Sequence, residues 1–392
     1  MDPVRNPFAP GAGTRPPELA GRDELVERAA VALDRIALGR PARSFILYGL
    51  RGTGKTVLLG EIRRDAEARG LQTVRIEAPE GRSLPAMLAA PLRALLLKLD
   101  RMESAKAGAR KALRALAGFA KLKVAYHDIE VTIDAEPEKG VADSGDLEVD
   151  LTELLLAVGE AAKERGTAAI LAIDEIQYVK EAEMAALISA LHAVAQAQLP
   201  VGLVAAGLPQ LLGQMGRAKS YAERLFEYVE VAALTPGAAR NAIVIPIERE
   251  EEAIEPAAVD AIVAATQGYP YFLQEWGKHA WDLAFASPIS VLDVENAGVT
   301  ALAELDASFF RVRFDRLTPS EKRYMRAMAE LGPGPHRSGD IAEMLGKLVT
   351  QLAPIRNSLI RKGMLYSPAH GDTAFTVPMF DQFMKRIMPD RG

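Results

Sequence analysis

Eight consecutive residues, Gly49-Leu50-Arg51-Gly52-Thr53-Gly54-Lys55-Thr56, fit the pattern G-x-x-x-x-G-K-[ST] at every position. Its glycines let a backbone curl until several N–H groups converge on one anion. In such a loop Lys55 reaches the β- and γ-phosphates of a nucleotide, and the Thr56 hydroxyl ligates Mg²⁺. Val57 carries the chain into a helix whose positive N-terminal end faces the same anion. A second acidic site follows about 120 residues later. The apolar run Ala168–Ile173 ends in Asp174-Glu175, which places two carboxylates at the end of a buried strand. Asp174 suits Mg²⁺ held through water, and Glu175 suits polarisation of the water that attacks a γ-phosphate. The pair of motifs predicts hydrolysis rather than nucleotide binding alone.

These residues need a scaffold that brings loop and strand end together. Ser44–Tyr48 is a short apolar run ending at glycine, as a buried parallel strand would be. A helix over Lys55–Arg69 closes at Gly70, and Gln72–Ile76 reads as the next strand. Further strands are expected at Ala168–Ile173, Val201–Ala206 and Tyr228–Val231. This βαβ rhythm predicts an α/β fold, a parallel sheet with helices on both faces. It is interrupted by an insertion over about 84–147. The insertion holds a Leu/Ala/Met-rich stretch (Leu84–Leu99), a basic helix (Lys106–Lys123), a strand (Val124–Ile133) and a polar loop (Glu136–Gly145). Residues 1–20, with five prolines, read as a flexible arm, and 233–306 as helical.

The composition sets limits. The 392 residues are 49% hydrophobic and 25% charged, a globular mixture spread over two or three domains. There is no cysteine, so no disulfide framework, thiolate nucleophile or Cys-based metal site. Five scattered histidines have no mutual metal-ligand spacing, and no protein-built metal centre is expected from them. No apolar run is long enough to cross a bilayer, and the N-terminus lacks a signal-peptide core. The expected setting is cytoplasmic, with no membrane partner. The net charge of −5 is uneven: Ser308–Gly392 carry 14 Lys/Arg against 8 Asp/Glu, hence +6, leaving −11 elsewhere. That is a basic appendage on an acidic body.

With both phosphate-site motifs in place, the chain resembles the AAA+ superfamily. Within it the likeness is to archaeal-type ATPases related to the origin-recognition (Orc1/Cdc6-like) proteins, with overlap to the STAND signalling ATPases. The resemblance runs over nearly the whole chain. It rests on Pro17-Glu18-Leu19-Ala20-Gly21-Arg22, the phosphate loop, Ile173-Asp174-Glu175-Ile176-Gln177, Gly207-Leu208-Pro209 and Gly268-Tyr269-Pro270. It implies a P-loop AAA+ core over 21–232, a helical lid over 233–306, and ATP with Mg²⁺ as ligands. Leu19, Gly21 and Arg22 would lie along the adenine. Pro270 would pack near the base, helped by Tyr269 or Tyr271. Arg224 resembles an arginine finger, with Arg217 as its rival; the resemblance suggests a homo-oligomer and leaves a monomer open. The strand end Val204-Ala205-Ala206-Gly207 lacks the polar residue the family often places there, and Gln210 is a weak substitute. A sensor arginine is not evident in Gly268–Trp276. Both departures predict slow hydrolysis, a switch rather than a motor.

Residues 307–392 resemble a winged-helix domain. Thr318-Pro319-Ser320-Glu321 is a helix entrance, with Thr318 as N-cap and Glu321 three residues on. Helices over Ser320–Leu331, Ser338–Leu345 and Leu352–Lys362 precede two strands around His370-Gly371-Asp372. The third helix would be the recognition helix, with Arg356, Asn357, Arg361 and Lys362 toward double-stranded DNA. The expected function is thus an ATP-hydrolysing switch that binds duplex DNA through this helix under nucleotide control, with a STAND-like signalling ATPase whose winged helix and insertion hold a protein partner as the alternative.

Overall fold

The computed structural model describes residues 1–11, 13–100, 106–123 and 141–389. Strands β1 (Ser44–Tyr48), β2 (Gln72–Glu77), β3 (Ala169–Asp174), β4 (Val201–Gly207) and β5 (Phe226–Glu230) form one sheet in the order β2-β3-β4-β1-β5. Every neighbouring pair is parallel. β4 is inserted between β1 and β3, so the phosphate loop after β1 and the acids after β3 flank one strand end. Parallel strands buried on both faces read as continuous apolar runs, and β4 is buried at all seven positions.

Two cores cover the two faces. One face packs the helices Asp23–Ala37 and Lys55–Ala68 through Leu33, Leu58 and Ile62. The other packs Glu181–Gln196, the two insertion helices Leu84–Asp100 and Lys106–Lys123, and the helix Leu147–Glu164 that follows the insertion. The Leu-rich stretch of the insertion is therefore sheet-covering core. Its basic neighbour turns Arg110 and Lys111 outward, toward Asp100 and Glu160. The strand expected over Val124–Ile133 lies outside the described residues, as does part of the polar loop after it.

A third core is shared by the helices after β5 and the C-terminal residues. The expected boundary at 306/307 falls inside a continuous helical run. Val291–Leu305 passes through a π turn, Asp306–Phe310, into Arg311–Asp315. A π turn adds one residue per turn and so re-aims the side chains that follow. Here Phe310 enters the shared core, stacked on Phe383 at 5.2 Å, while Phe309 stacks on Tyr271 at 4.9 Å.

The C-terminal residues run helix (Pro319–Glu330), strand β6 (His336–Arg337), helices Ser338–Met344 and Val349–Arg361, then strands β7 (Leu365–Tyr366) and β8 (Asp372–Phe375). The three strands form an antiparallel sheet in the order β6-β8-β7. Thr318 and Glu321 make the anticipated capping box. β6 and the final helix Phe380–Ile387 were not anticipated: one is two residues long, and the other follows Val377-Pro378 without a polar cap.

The N-terminal arm is seated, not free. Phe8 is buried against Gly277 of the helix Pro270–Leu283. Asn6 Nδ2 donates to the Lys278 carbonyl (3.0 Å) and to Asp282 Oδ1 (2.7 Å), and Trp281 Nε1 donates to the Asp2 carbonyl (2.8 Å). Proline-rich sequence lacks backbone donors for regular structure, but it loses little entropy when laid against a surface. One buried aromatic contributes about 1.5–3 kcal/mol toward holding it there.

Candidate functional site

A cavity of about 460 Å³ opens at the carboxyl ends of β1, β2 and β3. That is where an open parallel sheet binds ligands. Its floor is the phosphate loop. Gly52 and Gly54 have φ of +82° and +86°, which a side chain would strain. A Cβ at Gly54 would meet nothing within 4 Å, so its backbone faces open space. Thr53 is buried and its Oγ1 donates to the Leu50 carbonyl at 3.0 Å, pinning the curl. Lys55 Nζ donates to the same carbonyl at 2.7 Å. Burial pushes its pKa down to about 8, against the pull of Glu175 and with Arg51 adding to the depression. A desolvated ammonium at a glycine-rich turn that opens a helix suits an anionic ligand.

The acidic side complements it. Burial raises the Asp174 carboxyl, opposed by a hydrogen bond from the Thr56 hydroxyl and by the Glu175 N–H (2.8 Å to Oδ1). A buried carboxylate hydrogen-bonded to a hydroxyl is a donor set for a hard cation, and Thr56 with Asp174 fits Mg²⁺. Glu175 sits at φ +51°, a left-handed conformation rare outside glycine and frequent at functional sites. Gln177 Nε2 donates to its Oε2, and Arg51 Nη1 lies 3.8 Å from its Oε1.

Of the residues singled out in the sequence, Leu19, Arg22, Arg51 to Val57, Asp174, Glu175 and Pro270 line this cavity. Gly21, Gly49 and Leu50 do not. Gly49 lets the chain pass Val231, whose carbonyl oxygen would lie 2.3 Å from an added Cβ. Gly21, at φ +66°, turns the arm against Ala238. Arg22 Nη2 donates to the carbonyls of Ala232 (2.5 Å) and Thr53 (3.3 Å), bracing the loop from behind. Arg224 is exposed beside the start of β5, at the opposite end of the sheet from this cavity, and does not line it. Arg217 pairs with Glu181 at 3.2 Å.

Four features of the site were missed. Gln177 also accepts the Leu208 N–H on Oε1 (3.1 Å), tying Glu175 to the strand end that lacks a polar residue of its own. Gln210 is absent from the lining. Gln274 lines the wall with its buried Oε1 free of any hydrogen-bond partner. Arg313 enters from beyond the lid, its guanidinium 4.0 Å above the Phe309 ring. Burial lowers its pKa to about 10, with Arg51 reinforcing the shift. The arm forms the roof through Pro10, Gly13 and Thr14. Only Gln177, inside the quoted acidic segment, carried any signal in the sequence. Arg313 is more than 250 residues from the loop it faces.

The C-terminal module closes over the same loop. The Arg51 N–H donates to the Thr376 carbonyl at 2.9 Å, and Arg51 Nη2 to the Tyr178 hydroxyl at 3.0 Å. The Tyr271 N–H donates to the Gly52 carbonyl at 3.2 Å.

The four residues expected on DNA divide. Arg356 donates to Thr373 Oγ1, Ser367 Oγ and the Asp372 carbonyl, each at 2.8 Å, which staples its helix to the hairpin. Lys362 Nζ bonds Glu321 Oε2 at 2.7 Å and the Arg316 carbonyl at 2.9 Å. Asn357 and Arg361 are exposed. Met344, Leu348 and Val349 are exposed around the start of the same helix.

Comparison with known proteins agrees with this geometry. A family model described as the AAA ATPase domain matches residues 18–204, and one described as a domain of unknown function matches 307–384. The Walker-type ATPase PABY2304 of Pyrococcus abyssi is similar in structure, with a TM-score of 0.61 at 15% identity over 95% of this chain and 97% of that one. The fold is that of a P-loop AAA+ core. The Orc1 protein of Aeropyrum pernix, solved in complex with DNA, matches at a TM-score of 0.49 and 15% identity, covering 97% and 96%. A RuvB variant of Thermotoga maritima matches at 0.47 and 17%, covering 91% and 92%. No curated protein matches the sequence. Among the described residues no helix is long and apolar enough to cross a membrane.

Proposed function

We propose that this protein is an ATP-binding, slowly hydrolysing switch whose C-terminal module reads the state of the nucleotide. The observation that carries it is the single cavity joining the phosphate loop, Asp174-Glu175 and Arg313. In this reading the loop N–H groups and Lys55 hold the β- and γ-phosphates. Thr56 and Asp174 hold Mg²⁺, which when bound neutralises charge on the phosphate oxygens. Leu19, Arg22 and Pro270 flank the base, and Gln274 Oε1 accepts a hydrogen bond from its amino group. Glu175, aimed by Gln177, takes the proton of the attacking water. Arg313 approaches the phosphates from beyond the lid, so loss of the γ-phosphate removes its anchor. The Arg51–Thr376 contact then lets loop movement reach the C-terminal module.

Two substitutions test the core of this. Lys55→Ala should lose about 100-fold or more in ATP affinity, since a hydrogen bond to a charged group is worth about 1.5–3 kcal/mol and more than one is removed. Glu175→Gln should bind ATP normally while turnover drops about 10²–10⁴-fold. Normal turnover by Glu175→Gln would refute the base assignment.

For the output, a protein target is favoured over duplex DNA. Arg356 and Lys362 are committed to internal bonds, while three apolar side chains stand exposed at the head of the same helix. A winged-helix role on DNA rests on Asn357 and Arg361 alone. Fluorescence anisotropy with mixed-sequence duplex DNA, titrated with salt in ATP and ADP, separates the two. Salt-steep, nucleotide-dependent binding that is lost in Arg361→Ala would restore the DNA reading. No binding in either state sustains the protein target.

A further inference from the structure

The lid holds a polar cluster that the nucleotide chemistry does not use. Glu275 and His279 lie one turn apart on the helix Pro270–Leu283, and Glu304 reaches them from Val291–Leu305. One ligand atom from each lies within 4.8 Å of the others. His279 and Glu275 are only 6% and 5% exposed. Yet His279 Nε2 and Glu275 Oε2 both lack a hydrogen-bond partner. Glu304 Oε2 sits 2.9 Å from that nitrogen without the alignment of a hydrogen bond, and Glu275 Oε2 is 3.9 Å away. Orphaned polar atoms this deep are costly, and convergence of two on one point needs a third body.

We propose that Glu275, His279 and Glu304 form a binding site for a divalent transition metal of the Zn²⁺ class. One imidazole nitrogen and two carboxylate oxygens suit Zn²⁺, Co²⁺ or Mn²⁺; Ca²⁺ takes six to eight oxygens, and Mg²⁺ suits oxygen sets. Bonds of about 2.0–2.2 Å in a tetrahedron put ligand atoms about 3.3 Å apart. The observed spacings bracket that value. Glu304 is half exposed, which gives an entry path and the freedom to close the last fraction of an ångström. The Tyr271 hydroxyl is near enough to the Glu275 carboxylate to perturb it electrostatically, so it is placed to act as an outer neighbour of a ligating carboxylate. The competing cation is Lys278, whose Nζ lies 3.9 Å from Glu304 Oε2 and reaches only the exposed side. The histidines have no spacing with one another, so the sequence hid a set built from one histidine and two glutamates. The bound ion would join two lid helices.

The full chain, stripped with chelator, is titrated with Zn²⁺ against a chromophoric chelator in millimolar Mg²⁺, and separately with Co²⁺ followed by visible absorption. The expected result is one Zn²⁺ per chain at micromolar affinity or tighter, with Co²⁺ bands of a four-coordinate N/O site. Asp174→Asn should keep that Zn²⁺, which excludes the phosphate-loop metal position. His279→Gln and Glu304→Gln should each weaken it at least tenfold. The half-exposed Glu304 keeps the test valid if His279→Gln does not fold. Thermal melting should rise with Zn²⁺ in the parent chain and not in Glu304→Gln. Weaker than millimolar binding, loss of the ion in Asp174→Asn, or undiminished binding in Glu304→Gln would overturn the assignment.

Discussion

The phosphate loop and the third helix of the C-terminal module were both singled out for chemistry by a handful of residues, and they folded to different ends. Six of the eight loop residues named in advance, Arg51 to Thr56, line one cavity. On the helix, two of the four named side chains are bonded inward. The loop's chemistry lives in its backbone: glycines at positive φ and N–H groups that point one way because the curl is the same for any sequence able to make it. The helix's chemistry depends on which face points out. Hydrophobic periodicity settles that for Leu359 but not for long amphipathic cations near a helix end. A motif carried by main-chain conformation survives the passage to structure better than one carried by side-chain direction.

The sharpest way to break this comparison is to remove a cation from each region. Arg313→Ala should lower turnover about 100-fold, the usual cost of one group that stabilises charge developing in a transition state. ATP affinity should change far less. Arg356→Ala should leave turnover within twofold. Equal effects would mean that the two regions are not distinct in function. Next in size are stability effects, with the roles reversed. Lys362→Ala removes the charged hydrogen bond on the buried Glu321 carboxylate and should cost about 1.5–3 kcal/mol by chemical denaturation. Arg361→Ala, on the exposed face, should stay within about 0.5 kcal/mol. If Arg361 proves the costly one, the inward and outward assignments are exchanged.

Much of the core was legible for physical reasons. The three central strands, β1, β3 and β4, announce themselves as buried apolar runs, and all five strands were placed within a few residues of their observed spans. Glu175 and Lys55 were legible because their neighbours in sequence are their neighbours in space. Arg313, Gln274 and the roof over the loop were not. Arg313 is brought in by a π turn that no periodicity predicts, and by a core shared between lid and C-terminal module. The arm misled because proline and glycine read as flexibility, whereas one phenylalanine and a few backbone carbonyls suffice to seat it. β6 is two residues long, below the length at which alternation carries a signal.

Two pH edges sharpen the contrast further. Burial pushes Glu321 up, but the Lys362 ammonium, the Thr318 N–H and the Ser358 hydroxyl outweigh it and hold the carboxyl at about 2. A carboxyl depressed in the fold adds stability that is present above its ordinary value near 4.5 and is lost as pH falls toward about 2. The C-terminal module should therefore loosen on the acid side, and Glu321→Gln should flatten that edge. Lys55 works in the other direction. Its ammonium is held down to about 8 by burial, and phosphate binding requires the charged form. ATP affinity should be level below about pH 8. Above it, each further unit should weaken binding by up to tenfold, because one proton is taken up with the nucleotide. Proton uptake measured by calorimetry in buffers of different ionisation enthalpy would show this directly, as a fraction of one proton near pH 8 that falls toward zero at pH 6. A flat affinity profile from pH 7 to 9.5 would mean that Lys55 stays charged without a ligand and that the loop's N–H groups alone set the affinity. The comparison would then shift further toward the backbone.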